Sequence, residues 1–151
     1  MHKVWAKKRG FTIVELLICI AVIGILAGIM IVSYTNIQQR SRDSRRSSDI
    51  TKIRLAIDKY RAEKSMYPPA CPSGDNSGCT VNYLATYLAP YLDSIPHDPK
   101  NAINSTTDYQ YVRGVVTNDS YALRVYYEAK PSCKTGTNVD AGWWGATVLA
   151  C

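Results

Sequence analysis

No proline precedes Pro68, and no glycine lies between Gly28 and Pro68. Nothing in that stretch obliges a helix to stop, because it lacks the residue that removes a backbone donor and blocks the preceding turn. Histidine occurs only at His2 and His97. With no Gly-x-Ser-x-Gly, no phosphate-binding loop and no paired carboxylates beside them, the chain offers no catalytic constellation and reads as a non-enzyme without a cofactor. No Cys-x-x-Cys spacing occurs either, which argues against a zinc site. Charge is also missing from one long interval: between Phe11 and Val32 the only charged residue is Glu15.

At about 1.5 Å per residue, residues 11–32 make a helix of about 33 Å, against about 30 Å for the hydrocarbon core of a bilayer. A carboxylate at membrane depth costs about 2.5–3.5 kcal/mol on insertion scales, so Glu15 calls for a partner. Lys3, Lys7, Lys8 and Arg9 precede the run and, by the positive-inside rule, place the N-terminus in the cytoplasm and the bulk of the chain across an inner or plasma membrane. An ordinary secretory signal has an apolar stretch of about 7–15 residues with a small-residue cleavage site after it. Here the run is longer and the small residue at its boundary, Gly10, comes first, so a cut there removes only the basic stub. The alternative is an uncleaved single-pass anchor with Glu15 near the interface. Gly24 and Gly28, with Ala21 and Ala27 nearby, permit close helix approach in lipid.

The formal net charge of +6 divides unevenly. Residues 39–64 hold nine Lys/Arg against four acids, and residues after Ser65 hold five against seven. The globular part is thus mildly acidic, weak support for nucleic-acid binding. Cys19 sits in the apolar run as a small hydrophobe, whereas Cys71, Cys79, Cys133 and Cys151 lie beyond it, an even number suited to an oxidising compartment. Of the three connectivities, we favour Cys71 with Cys79, which brackets one Gly/Ser/Asn-rich loop, and Cys133 with Cys151, which ties down the last residues.

Ile50, Ile53, Ile57 and Tyr60, with Leu55 and Ala56 beside them, recur at helical spacing and predict an apolar face for a head. Gln38 to Asp49 between the apolar zones is polar on every side. It reads as a solvated collar, or as a surface on which Arg42, Arg45 and Arg46 meet lipid headgroups or acidic faces of neighbouring subunits. Arg45 with Asp49 and Arg54 with Asp58 stand at i,i+4. Tyr67-Pro68 ends the helix. Val81 to Leu92, with Tyr83, Tyr87 and Tyr91 in a stripe, predicts a short second helix interrupted near Pro90. Tyr109–Thr117 and Tyr121–Lys130, separated by Asn118-Asp119-Ser120, predict an antiparallel hairpin with one face on the helix and the other in solvent. Ala141–Cys151 predicts a last strand, with one of Trp143 and Trp144 in the core and the other at its rim. Asn104 and Asn118 each begin an Asn-x-Ser/Thr triplet.

Lys-Lys-Arg-Gly at 7–10, followed by Phe-Thr-Ile-Val-Glu-Leu-Leu at 11–17, resembles the class III signal of type IV pilins and type II secretion pseudopilins. The resemblance implies an α+β pilin fold: a leader at 1–10, a long S-shaped helix at 11–63 with 11–32 transmembrane, and a head at 64–151 with a short helix and a small antiparallel sheet. It implies cleavage after Gly10 by a prepilin peptidase, methylation of the Phe11 amine, and pairing of Glu15 with the Phe11 amine of a neighbouring subunit. The family often has a proline in the region where this chain has Val32, which leaves an inherited kink unsupported. Pro96-His97-Asp98-Pro99 and Tyr109-Gln110-Tyr111 resemble the segment leading into the sheet of major pseudopilins, whose neighbouring loops can hold calcium. Asp98 and Asp108, with Asp93, Asn101 and Asn104, are the candidate oxygen ligands.

Two function classes follow. The first is a structural subunit of a type IV pilus-like filament, stored in the membrane, assembled as a homo-oligomer by an assembly platform and its ATPase, and carried to the cell surface; its variant is a type II secretion pseudopilin. The second is a membrane-tethered module that binds DNA or surfaces without polymerising.

Overall fold

The computed structural model describes residues 10–72, 78–114, 119–145 and 147–151, with 30–33 given by their backbone alone. The basic leader at 1–9, the tip of the Cys71–Cys79 loop, the far end of the strand expected to reach Thr117, Asn118 and the side chain of Val32 lie outside the described residues. The chain falls into two compact units, Met1–Gln38 and Gln39–Cys151.

Helix α1 runs Ile13–Lys64. In the first unit, Phe11 to Ile29 show their large apolar side chains to the surroundings, Phe11 at 76% exposure, and α1 is long and apolar enough there to cross a membrane. Its end is built by Ser65, which takes a left-handed φ of 57° while its N–H donates to Arg61 O at 2.8 Å. That is the backbone form that satisfies carbonyls in a last helical turn.

In the second unit, the α1 residues Ile50, Ile53, Ala56 and Ile57 form one buried stripe. Leu55, expected beside them, is exposed, since it falls on the opposite side of the helix. The sheet has five strands, β1 Cys79–Thr80, β2 Gln110–Arg113, β3 Tyr121–Val125, β4 Cys133–Thr137 and β5 Leu149–Ala150, in spatial order β1-β2-β3-β4-β5. All pairings are antiparallel except β4 with β5, which is parallel. The fold is α+β and pilin-like, with a sheet dominated by antiparallel pairs.

Strand alternation assigns the faces. Tyr111 stands opposite Leu123 and Val112 opposite Ala122. Tyr109, Tyr111, Tyr121, Leu123 and Val125 join the α1 stripe in the main core, with Val81, Leu84 and Leu88. The other face was expected to meet solvent. Instead Val112 and Ala122 are covered by Trp143, with Val139 and Trp144 packed at the edge. The reason is chain path: Trp143 and Trp144 lie in a turn rather than a strand, and that turn folds back over the sheet. Trp143 is buried and Trp144 half-buried, so the division into one core and one rim tryptophan holds.

The predicted second helix is shorter than its apolar stripe, a 3₁₀ turn at Val81–Leu84 followed by one helical turn, α2, at Ala85–Leu88. β4 had no sequence prediction, because Cys-Lys-Thr-Gly-Thr lacks an apolar alternation. Gly136 is required there: a Cβ on it would lie 2.0 Å from Tyr121 O on β3. Both favoured disulfides are present, Cys71–Cys79 and Cys133–Cys151.

Candidate processing and assembly site

Thr12 is the residue before the helix, and its carbonyl accepts the first helical bond, from Leu16 N–H at 3.2 Å. Its hydroxyl oxygen also accepts the N–H of Glu15 at 3.2 Å. In return, Glu15 Oε2 accepts the Thr12 N–H at 3.0 Å and the Thr12 hydroxyl at 2.8 Å. This is a reciprocal capping box, in which threonine and an acid three residues on satisfy each other's orphan donors. Glu15 was expected to pair with the Phe11 amine of a neighbouring subunit; the Thr-x-x-Glu spacing at 12–15 is the signal for the partner it has within its own chain. The carboxylate also stands where the helix start presents partial positive charge. Gly10 and Phe11 lie just outside this box and are exposed. Farther along, a Cβ on Gly24 or on Gly28 would meet nothing within 4 Å, so both leave open surface.

The polar stretch 38–49 is neither a solvated collar nor a free basic surface at its centre. Arg46 is 1% exposed. Its Nε and Nη2 donate to Asp98 at 2.5 and 3.0 Å, and its Nη1 pairs with Asp43 at 2.7 Å and Glu128 at 2.9 Å. Arg42 holds both oxygens of Glu128 at 2.7 Å, and Lys100 reaches Glu128 at 3.2 Å. Asp43 also accepts the N–H groups of Glu128 and Ala129, each at 2.9 Å. Arg45 alone of the three arginines remains largely exposed, 3.8 Å from Asp49 as its i,i+4 spacing suggested. The signal missed was the acid at Asp43 one turn before Arg46, which makes a buried guanidinium affordable.

These contacts set the ionisation of the group. Hydrogen bonding to Asp98 raises the Arg46 pKa against the cost of burial, with help from Asp43 and Glu128. Arg42, foremost, holds the Glu128 carboxyl well below the usual range. Burial opposes the charge on Asp43, but the N–H groups of Glu128 and Ala129 and the Arg46 guanidinium together bring its pKa down. Burial, then Asp49 at 3.2 Å, drives the Tyr109 hydroxyl upward.

The calcium candidates Asp98 and Asp108 are brought together but their oxygens are engaged. Besides Arg46, Asp98 accepts the N–H groups of Lys100 and Asn101 and the Asn101 side-chain amide. Asp108 accepts the N–H groups of Asp98, Asn104 and Tyr109 and pairs with His97 Nδ1 at 2.9 Å. Asp93 is exposed and takes no part. No group of three or more His, Cys, Asp or Glu suited to a metal ion occurs among the described residues.

The apolar, membrane-length part of α1 thus follows a Gly-Phe junction and keeps its single acid, Glu15, in the first turn. The family described as prokaryotic N-terminal methylation motif matches residues 5–31. The chain is similar to the type II secretion system core protein G of Escherichia coli K12, 26% identical over 92% of this chain and 92% of that protein. It is also similar to the type IV major fimbrial protein FimA of Dichelobacter nodosus, 47% identical over 34% of this chain and 33% of the relative. The type IV major pilin PilA of Myxococcus xanthus is 38% identical over 40% of this chain and 28% of its own length. No solved structure matches significantly. The chain carries the prepilin methylation motif and is a homologue of type II secretion protein G and of the type IV pilins.

Proposed function

We propose that the protein is a non-enzymatic structural subunit of a helical filament of the pilus or pseudopilus type. It is made as a prepilin, cut after Gly10 by a prepilin peptidase, methylated on the Phe11 amine and held in the membrane with its head outside the cytoplasm until an assembly platform and ATPase extract it. The observation that carries this reading is the coincidence of the methylation motif at residues 5–31 with an apolar helix surface, Phe11 to Ile29, whose large side chains are exposed among the described residues. Lipid covers it before assembly, and the helices of other subunits cover it afterwards.

Both Thr12 bonds fall on Oε2 of Glu15, which leaves Oε1 for the new Phe11 amine of a neighbour. Glu15 thus sets subunit register while Thr12 keeps the carboxylate oriented. Glu15→Gln retains the hydrogen-bond geometry but not the charge, so the variant inserts in the membrane and is processed, yet yields few filaments. Filament yield equal to that of the unaltered protein contradicts the register role.

Similarity over 92% of the chain to protein G, against 34% of it for FimA, favours the pseudopilus form over the surface pilus. No cofactor enters this reading: Asp98 and Asp108 act as loop clamps, and chelation of calcium is expected to leave the head's unfolding midpoint unchanged.

A further inference from the structure

Lys134 on β4 is 6% exposed. Its Nζ donates to three main-chain carbonyls of one turn, Asp140 O at 3.2 Å, Ala141 O at 3.0 Å and Trp143 O at 3.0 Å. No ion pair to Lys134 occurs among the described residues. An ammonium is strongly disfavoured in the interior unless its donors are met, and here three donors meet three acceptors. Converging backbone carbonyls are also the ligand set of a hard metal ion. Distance decides which cation the cage suits: calcium needs oxygens at about 2.3–2.6 Å, whereas these stand 3.0–3.2 Å from the nitrogen.

We propose that Lys134 is the resident cation of a three-carbonyl site that fixes the turn at 140–145, a tethered ammonium standing where a carbonyl-lined loop would otherwise need a bound ion. The site, once emptied, takes a primary alkylammonium. Lys134 is placed for this by its own backbone, whose carbonyl accepts the Cys151 N–H at 2.9 Å, next to the Cys133–Cys151 disulfide. One residue therefore joins the last strand to the turn. The turn itself closes on short-range bonds, Trp143 N–H to Asp140 O at 3.3 Å, Gly145 N–H to Gly142 O at 3.1 Å and Gly142 N–H to Asp140 Oδ1 at 2.6 Å. It nevertheless carries Trp143 onto Val112 and Ala122, and holds Trp144 at a left-handed φ of 57° with its ring against Gly78. A bulky residue keeps that backbone form only where its surroundings impose it.

The test uses the full-length protein in detergent micelles. Lys134→Ala removes the propylammonium portion of the side chain, and the thermal midpoint falls by about 10 °C, as expected for losing hydrogen bonds to a charged group. n-Propylammonium then restores the midpoint saturably, tetramethylammonium at equal concentration does not, and neither affects the unaltered protein. An unchanged midpoint in Lys134→Ala, equal effects of the two ammonium salts, or rescue by calcium but not by propylammonium overturns the proposal. If the variant does not fold, reductive methylation of the unaltered protein in EDTA serves instead. Lys134 stays unmodified while exposed Lys52 and Lys130 react; modification of Lys134 at their rate overturns the assignment.

Discussion

Arg46 and Asp98 meet through two side-by-side N–H···O bonds, 2.5 and 3.0 Å long, with both side chains shut off from solvent. The pair joins α1 to the loop that leads into β2, across 52 residues of sequence. It is the point where the helix and the sheet's approach loop are locked in one arrangement.

Removing one member of a buried pair leaves the other charge uncompensated, at a cost of about 3–5 kcal/mol. Arg46→Met therefore lowers the stability of the head by that amount. Arg46→Lys recovers only part of it, because an ammonium cannot offer the two-pronged contact. Denaturant unfolding followed by the tyrosine signal measures both; a lysine variant as stable as arginine contradicts the bidentate role.

Acid should unlock the same region. Asp43 and Glu128 have lower pKa values in the folded chain than in an unfolded one, so their contribution is complete above the ordinary carboxylate value, about 4, and is lost as pH falls below it. The unfolding midpoint is expected to be flat from pH 7 to about pH 5 and to drop at lower pH. Glu128→Gln starts lower and shows a shallower acid decline. The same acid slope in variant and parent contradicts the assignment to Glu128.

Gly136→Ala places a methyl 2.0 Å from Tyr121 O, a backbone atom that cannot step aside. The expected loss is about 1–3 kcal/mol or more, from β4 being pushed off β3. Gly24→Ala meets open space and leaves the unfolding of the head unaltered. Equal stability of Gly136→Ala and the parent in thermal unfolding contradicts the close approach.

The two disulfides close loops of different length, with separations of 8 and 18 residues. Chain-entropy reasoning assigns about 2.5 kcal/mol to the shorter and about 3 kcal/mol to the longer. Replacing Cys133 and Cys151 by serine is expected to lower the midpoint somewhat more than replacing Cys71 and Cys79. The difference grows because β5 depends on the chain's return to β4. The reverse order in paired melting curves contradicts this.

Much of this architecture was legible because its signals are local and periodic. The apolar run after Gly10, the Ile50-Ile53-Ile57 stripe and the spacing of the four outer cysteines each read directly onto α1, the core and the two disulfides. What escaped is non-local or polar. Arg46 looks solvated in a run of serines and charges until Asp98 and Glu128 arrive from far along the chain. Lys134 looks like a surface lysine until the 140–143 turn folds over it. The Thr12–Glu15 box is the exception, a short-range Thr-x-x-Glu pattern that lies inside the apolar run, where the membrane cost of Glu15 is the stronger signal.

The central claim is that Gly10–Phe11 is a processing site whose cleavage makes an assembly-competent subunit. Mass spectrometry of the mature N-terminus tests it most directly. The account predicts a chain that begins at Phe11 and carries a methyl group on its amine. A mature chain that still begins at Met1, with an unmodified Gly10–Phe11 bond, contradicts it.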